Sequence, residues 1–175
     1  MARARIVGDD AARRRVTAFE RTATGYRCVL DEQLRTALLT VLGELRDELE
    51  KVKTTPYDAV PAHLRRLFPA GYHANAEQNA EYRRLTHDEL ADTHQRAIME
   101  SIELLERRTE LSADELDRFV RAVNATRLVV GTILDVSEDD AEPAANDPMV
   151  DLWEIYDFLG WVLYQGLTAL SGGPE

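Results

Sequence analysis

The stretch SADELDRFVRAVNATRLVVGTIL, residues 112–134, decides the fold. It opens as Ser112-x-x-Glu115, the capping-box pattern in which each side chain satisfies a backbone donor of the other. Leu116, Phe119, Val120, Val123, Val130, Ile133 and Leu134 then recur mostly at three- and four-residue steps. That spacing puts them on one face of a helix. Working upstream, Thr86-His87-Asp88-Glu89 repeats the capping pattern and predicts a second helix start. This helix would bury Leu90, Ala97, Ile98, Ile102 and Leu105, and its closing Arg107 and Arg108 suit the negative end of a helix dipole. Before it, Ala74–Leu85 reads as a separate short helix touching the body through Tyr82 and Leu85. Pro61–Phe68 reads as a short helical turn opened by proline.

Further upstream, Asp31 is placed to cap a helix reaching about Val52. Leu34, Leu38, Val41, Leu42, Leu45 and Leu49 form its apolar face, with Glu32, Arg35, Asp47, Glu48 and Lys51 opposite. Val16–Thr22 alternates apolar and polar, and Tyr26–Leu30 is a second strand-like run. Ala23-Thr24-Gly25 between them turns the chain, since glycine tolerates positive φ. Downstream, 137–146 is an exposed acidic loop. Asp147-Pro148 starts a last helix that is apolar around most of its circumference from Val150 to Leu170. Such a helix either sits centrally or covers an interface. The fold class is therefore mainly α: a helical bundle of about four main helices plus short helices, with a small N-terminal β-hairpin. Residues 1–14 are expected to be a flexible basic extension, 15–170 one domain, and 171–175 a disordered tail.

A length of 175 residues suits one domain with an adequate core. Cys28 is the only cysteine, so no disulfide framework exists and the chain reads as cytoplasmic. No apolar run is long enough for a signal peptide or a membrane span. The net charge is −11, but it is uneven. Seven arginines against Asp9, Asp10 and Glu20 give residues 1–27 a charge of +4, which leaves −15 for the rest. An acidic body repels nucleic acid.

No motif for nucleophilic, phosphate-cradling or dinucleotide chemistry occurs. Cys28 lies in an apolar run, which favours an inert thiol. His87 and His94 are seven apart, not at metal-binding spacing, and no third ligand accompanies them, so no metal and no cofactor are expected. Glu100, Glu103, Glu106 and Glu110 read as a solvated ridge. Arg127 sits in an apolar run and requires a partner. Asp157 is the expected one, with Asp151 second, as a structural ion pair rather than an anion pocket. Trp153, Tyr156, Phe158, Trp161 and Tyr164 are more often core than binding site, yet such residues also make interface hot spots.

Four ordered segments resemble a bacterial family known only as a domain of unknown function, DUF2017. They are Leu64-Arg65-Arg66-Leu67-Phe68-Pro69-Ala70-Gly71-Tyr72, then Glu81-Tyr82-Arg83-Arg84-Leu85-Thr86, then Asn124–Thr132, then Tyr156-Asp157-Phe158-Leu159-Gly160-Trp161. The resemblance covers about 15–170 and implies no established activity. It does imply proximity to Clp-adaptor and sulfur-metabolism genes, and some members carry a transcription-regulator label. The expectation is a non-enzymatic protein-binding or regulatory accessory protein linked to Clp proteolysis. A protein partner, with a homodimer as the other assembly, would engage Leu67, Phe68, Tyr72, Trp153, Tyr156, Trp161 or Tyr164. The alternatives are a DNA-binding regulator and an enzyme with an unrecognised site. For DNA binding, 109–111 is a turn of helix-turn-helix length, but the second helix would meet DNA with Asp114, Glu115 and Asp117.

Overall fold

Asp31 caps as its position predicts. Its carboxylate accepts from the Leu34 amide at 2.8 Å, and helix α1 runs Glu32–Val52 behind it. The computed structural model describes residues 17–53, 55–72, 75–107, 110–136 and 147–172. The expected extension 1–14, the loop 137–146 and residues 173–175 lie outside the described residues. Ser171 and Gly172, expected in the tail, instead end the last helix, with Gly172 capping it at φ 65°. That left-handed conformation is open to glycine at no steric cost.

The hairpin is present as β1, Phe19–Arg21, paired antiparallel with β2, Tyr26–Cys28. A third strand, β3, Glu110–Leu111, joins β2 with Tyr26 opposite Leu111 and Arg27 opposite Glu110. Glu110 is held there by Arg27 at 3.3 Å and by the Thr24 hydroxyl at 2.7 Å. It is thus an exposed ladder residue rather than part of a helix face, and Glu110 and Leu111, two residues of the turn weighed for a helix-turn-helix, form a strand. The third strand also explains Gly25, which has no positive φ. A Cβ there would overlap the carbonyl oxygen of Leu111.

Two 3-10 turns, Tyr57–Ala59 and Ala62–Leu67, lead to α2, Ala76–Arg107. This is one helix of 32 residues, not two. The Thr86 hydroxyl donates to the Tyr82 carbonyl four residues back, at 2.9 Å, so the threonine is satisfied inside the helix. Leu85, expected to contact the body, is 64% exposed. At Ser112 the same sequence pattern is a true start. The serine oxygen accepts from the Glu115 amide and Glu115 accepts from the Ser112 amide, and α3 runs Ala113–Ile133. The last helix, α4, runs Val150–Ser171.

The central helix is α3, which packs against α1, α2, α4 and the second 3-10 turn. It buries Leu116, Phe119, Val120, Val123, Val129 and Val130, with Phe119 edge-on to Phe19 of β1. By contrast α4, the most apolar helix, packs mainly on α3 and β1. Its buried face is Phe158, Leu159, Val162 and Gly166.

Arg35 lies inside, not on the polar face its neighbours suggest, at 6% exposure. Its guanidinium donates to the carbonyls of Leu105 at 2.7 Å, Leu30 at 3.4 Å and Cys28 at 3.5 Å. Leu105 lies in the last turn of α2, where carbonyls lack intrahelical donors. One side chain therefore ties α1, the end of α2 and the hairpin together. Nearby burial pushes the Cys28 thiol up, which keeps it in the unreactive protonated form.

Two stability measurements follow from these contacts. Arg35→Met should cost about 3 kcal/mol in urea unfolding, because it strands buried carbonyls. Ser112→Ala should cost about 1 kcal/mol, whereas Thr86→Ala should stay within about 0.5 kcal/mol.

Candidate functional site

The chain between α1 and α2 cannot form a long helix, because Pro56, Pro61 and Pro69 interrupt it. It folds back over α2 instead, and two histidines hold it there. His87 Nε2 donates to the Val52 carbonyl at 3.3 Å and His94 Nε2 donates to the Leu67 carbonyl at 3.1 Å. Both rings contact Phe68, with centroids 4.8 and 6.4 Å away. Their seven-residue spacing thus serves a clamp. Burial holds the His94 pKa below its usual value, against the opposing pull of the Leu67 carbonyl. At the far end, Asn79 Oδ1 accepts from the Gly71 amide at 3.1 Å and the Tyr72 amide at 3.4 Å.

This fold-back borders an open cleft of two adjoining hollows of about 560 and 480 Å³. Tyr57, Asp58 and Arg83 line both. Arg83 lays its guanidinium over the Tyr57 ring, 4.3 Å from the ring centre. Lys53, Arg84 and His87 line the larger hollow, and Arg65 and Arg66 the smaller. Arg83 Nε and His87 Nδ1 are buried with no hydrogen-bond partner among the described residues. The segments Leu64–Tyr72 and Glu81–Thr86, quoted above for their resemblance, meet here. Sequence reading missed the cleft. The available signal was two Arg-Arg pairs, 65–66 and 83–84, in an acidic body; no periodicity says that a proline-interrupted segment will bring them together.

The expected interface residues separate. Leu67 and Phe68 are core, 3% and 1% exposed, because the second 3-10 turn packs into α3. Tyr72 stays on the surface beside Tyr82. On α4, Trp161 stacks on Phe158 and is half-buried, and Tyr156 is half-buried beneath Arg127. Trp153 is half-buried and edge-on to Tyr156, while Tyr164 is 65% exposed.

Arg127 does not make the expected ion pair with Asp157 among the described residues. Its guanidinium carbon stands 4.0 Å from the centre of the Tyr156 ring. Consecutive helical residues diverge by about 100°. Tyr156 therefore faces α3 while Asp157 faces outward and is exposed. Among the described residues no group of three or more His, Cys, Asp or Glu could hold a metal ion. No helix there is long and apolar enough to cross a membrane.

Two tests belong to this geometry. A double-mutant cycle of Arg127→Met and Tyr156→Leu should return a coupling of about 0.5–1 kcal/mol, as a cation over a ring gives. The His94 contribution follows from its lowered folded-state pKa. The unfolded chain takes up the proton first as pH falls, so the contribution is complete above pH 6.5 and is lost as pH falls through the lowered folded value. Stability of His94→Gln should therefore decline less steeply than wild type from about pH 7 to 5, measured by urea titrations across that range.

The family model described as "Domain of unknown function (DUF2017)" matches residues 16–170. No curated protein and no solved structure matches the chain.

Proposed function

The chain belongs to the family described as a domain of unknown function, DUF2017, and on that footing we propose that it works by docking a partner protein on the outward face of α4, as a non-enzymatic regulatory accessory. One observation carries this reading. Helix α4 keeps two large apolar side chains outside its contacts with the body. Its buried face uses Phe158, Leu159, Val162 and Gly166. Trp153, Tyr164 and Leu167, at spacings of eleven and three residues, share the opposite side. Tyr164 and Leu167 are 65% and 51% exposed. Exposed Asp157, together with Gly160, lies between Trp153 and the Tyr164–Leu167 pair on that side, so the apolar patch itself is Tyr164 with Leu167. Exposed apolar side chains of this kind mark interaction sites, and tyrosine is enriched in them.

The chemistry of the partner follows from charge. Asp151 and Glu154 stand on the first turns of the same helix, in a chain of net charge −11. A partner with an apolar helix or strand flanked by lysine or arginine is complementary to it. A second copy would bring two acidic bodies together, which like-charge repulsion opposes. Clp components are the first partners to try, since the family resemblance points towards Clp-adaptor genes.

The test uses the full chain with purified Clp ATPase and adaptor in calorimetry, alongside light scattering of the chain alone. The expected outcome is a monomer that binds one Clp component. Tyr164→Lys with Leu167→Lys should weaken that binding more than about tenfold, with the melting temperature unchanged. A stable dimer disrupted by the same pair would replace the partner with a second copy. Unaltered binding by the double variant would remove α4 from the site.

A further inference from the structure

The cleft beneath the fold-back carries a charge opposite to the chain as a whole. Lys53, Arg65, Arg66, Arg83 and Arg84 line its hollows against only two acids, Asp58 and Asp88. Some of these cations are neutralised in place. Lys53 is held by Asp92 at 2.7 Å and Glu50 at 3.7 Å, and Arg84 by Glu81 at 2.7 Å. The others are not. Arg65 donates to the backbone carbonyls of Val60 and Asp58, and Arg83 lies over Tyr57. Neither these two nor Arg66 makes an ion pair with a carboxylate among the described residues. A cluster of like charges is self-repelling and is relieved by a counter-anion. Guanidinium forks match phosphate oxygens in geometry as well as in charge.

The two hollows differ in chemistry. The smaller has Arg65, Arg66 and Arg83 against Asp58, a surplus of two positive charges, which matches a phosphate monoester dianion. The larger has Pro56, Tyr57, Ala76 and Ala80 with the polar groups of Asn79 and His87. Its volume of about 560 Å³ falls in the range of small-molecule sites. His87 is 6% exposed. Its Nε2–H donates to the Val52 carbonyl, and the other ring nitrogen, Nδ1, has no partner among the described residues. That atom has no accessible surface of its own, so a ligand hydroxyl supplies the partner by displacing a neighbour at the wall of the larger hollow. Arg83 Nε, also buried and unpartnered, is a donor between the two hollows.

We infer that the cleft binds a small hydroxylated organic phosphate. The dianion sits among Arg65, Arg66 and Arg83, and the hydroxylated body lies along Tyr57 towards His87. The site shares no residue with the α4 face.

Calorimetric titration of the full chain tests this with ribose 5-phosphate, adenosine 5′-monophosphate, ribose, inorganic phosphate and a phosphoserine peptide. At least one of the two sugar phosphates should saturate a single site, and ribose should not bind. Inorganic phosphate should bind about tenfold more weakly than the better sugar phosphate. Arg83→Gln and Arg66→Gln should each weaken sugar-phosphate binding about tenfold or more. Arg66 is exposed, so that variant reports on binding even if Arg83→Gln unfolds. Arg121→Gln, on an exposed pair with Asp117, should leave binding within about threefold. Absence of saturation by both sugar phosphates at about 10 mM, or affinity unchanged in both arginine variants, would overturn the assignment. Tighter binding of the phosphoserine peptide, with the same arginine dependence, would overturn the small-molecule source and make a phosphorylated protein the ligand.

Discussion

Arg35 is the point on which the architecture hangs. Its guanidinium is buried with no ion pair among the described residues and spends its donors on the backbone carbonyls of Cys28, Leu30 and the last turn of α2. A small sheet of two- and three-residue strands has little stability of its own. It persists because Arg35 and the Phe19–Phe119 contact fasten it to the helices, and because β3 follows directly on the end of α2. The helix end gains as well, since a carbonyl with no intrahelical donor receives a charged one.

A second clamp of the same kind works at the other end of α1. His87 and His94 donate to the carbonyls of Val52 and Leu67, and both contact Phe68. In both places a side chain on a helix satisfies backbone that has no ladder of its own. This lets a proline-interrupted segment lie against the body without burying unpaired carbonyls. The cleft is a by-product of that arrangement, because the segment bridges α1 and α2 without filling the space between them. Its arginines come from the 3-10 turn on one side and the first turns of α2 on the other.

Two capping boxes, one strand-like repeat and one apolar helix show how far local pattern carries. Ser112 and Thr86 have the same x-x-Glu context, yet only Ser112 starts a helix. The residues before Ser112 pair as a strand, which fixes extended backbone there. Those before Thr86 are already helical, so its hydroxyl turns back to Tyr82 instead. Likewise the apolar excess of α4 was legible, but its position was not. The centre of the bundle went to α3, whose small residues Ala122, Ala125 and Gly131 allow close approach by its neighbours.

The sequence by itself determined the mainly helical class, the hairpin, the Asp31 and Ser112 starts, the apolar faces of α1 and α3, and the family. All of these are set by periodicity and by contacts within a few residues. Only the tertiary structure decided that Arg35 is buried, that Leu67 and Phe68 are core, that Arg127 covers Tyr156, and that two distant arginine pairs share one cleft. Each of those outcomes depends on which segments meet across the fold. That choice is made by the summed packing of whole faces, and no local spacing records it.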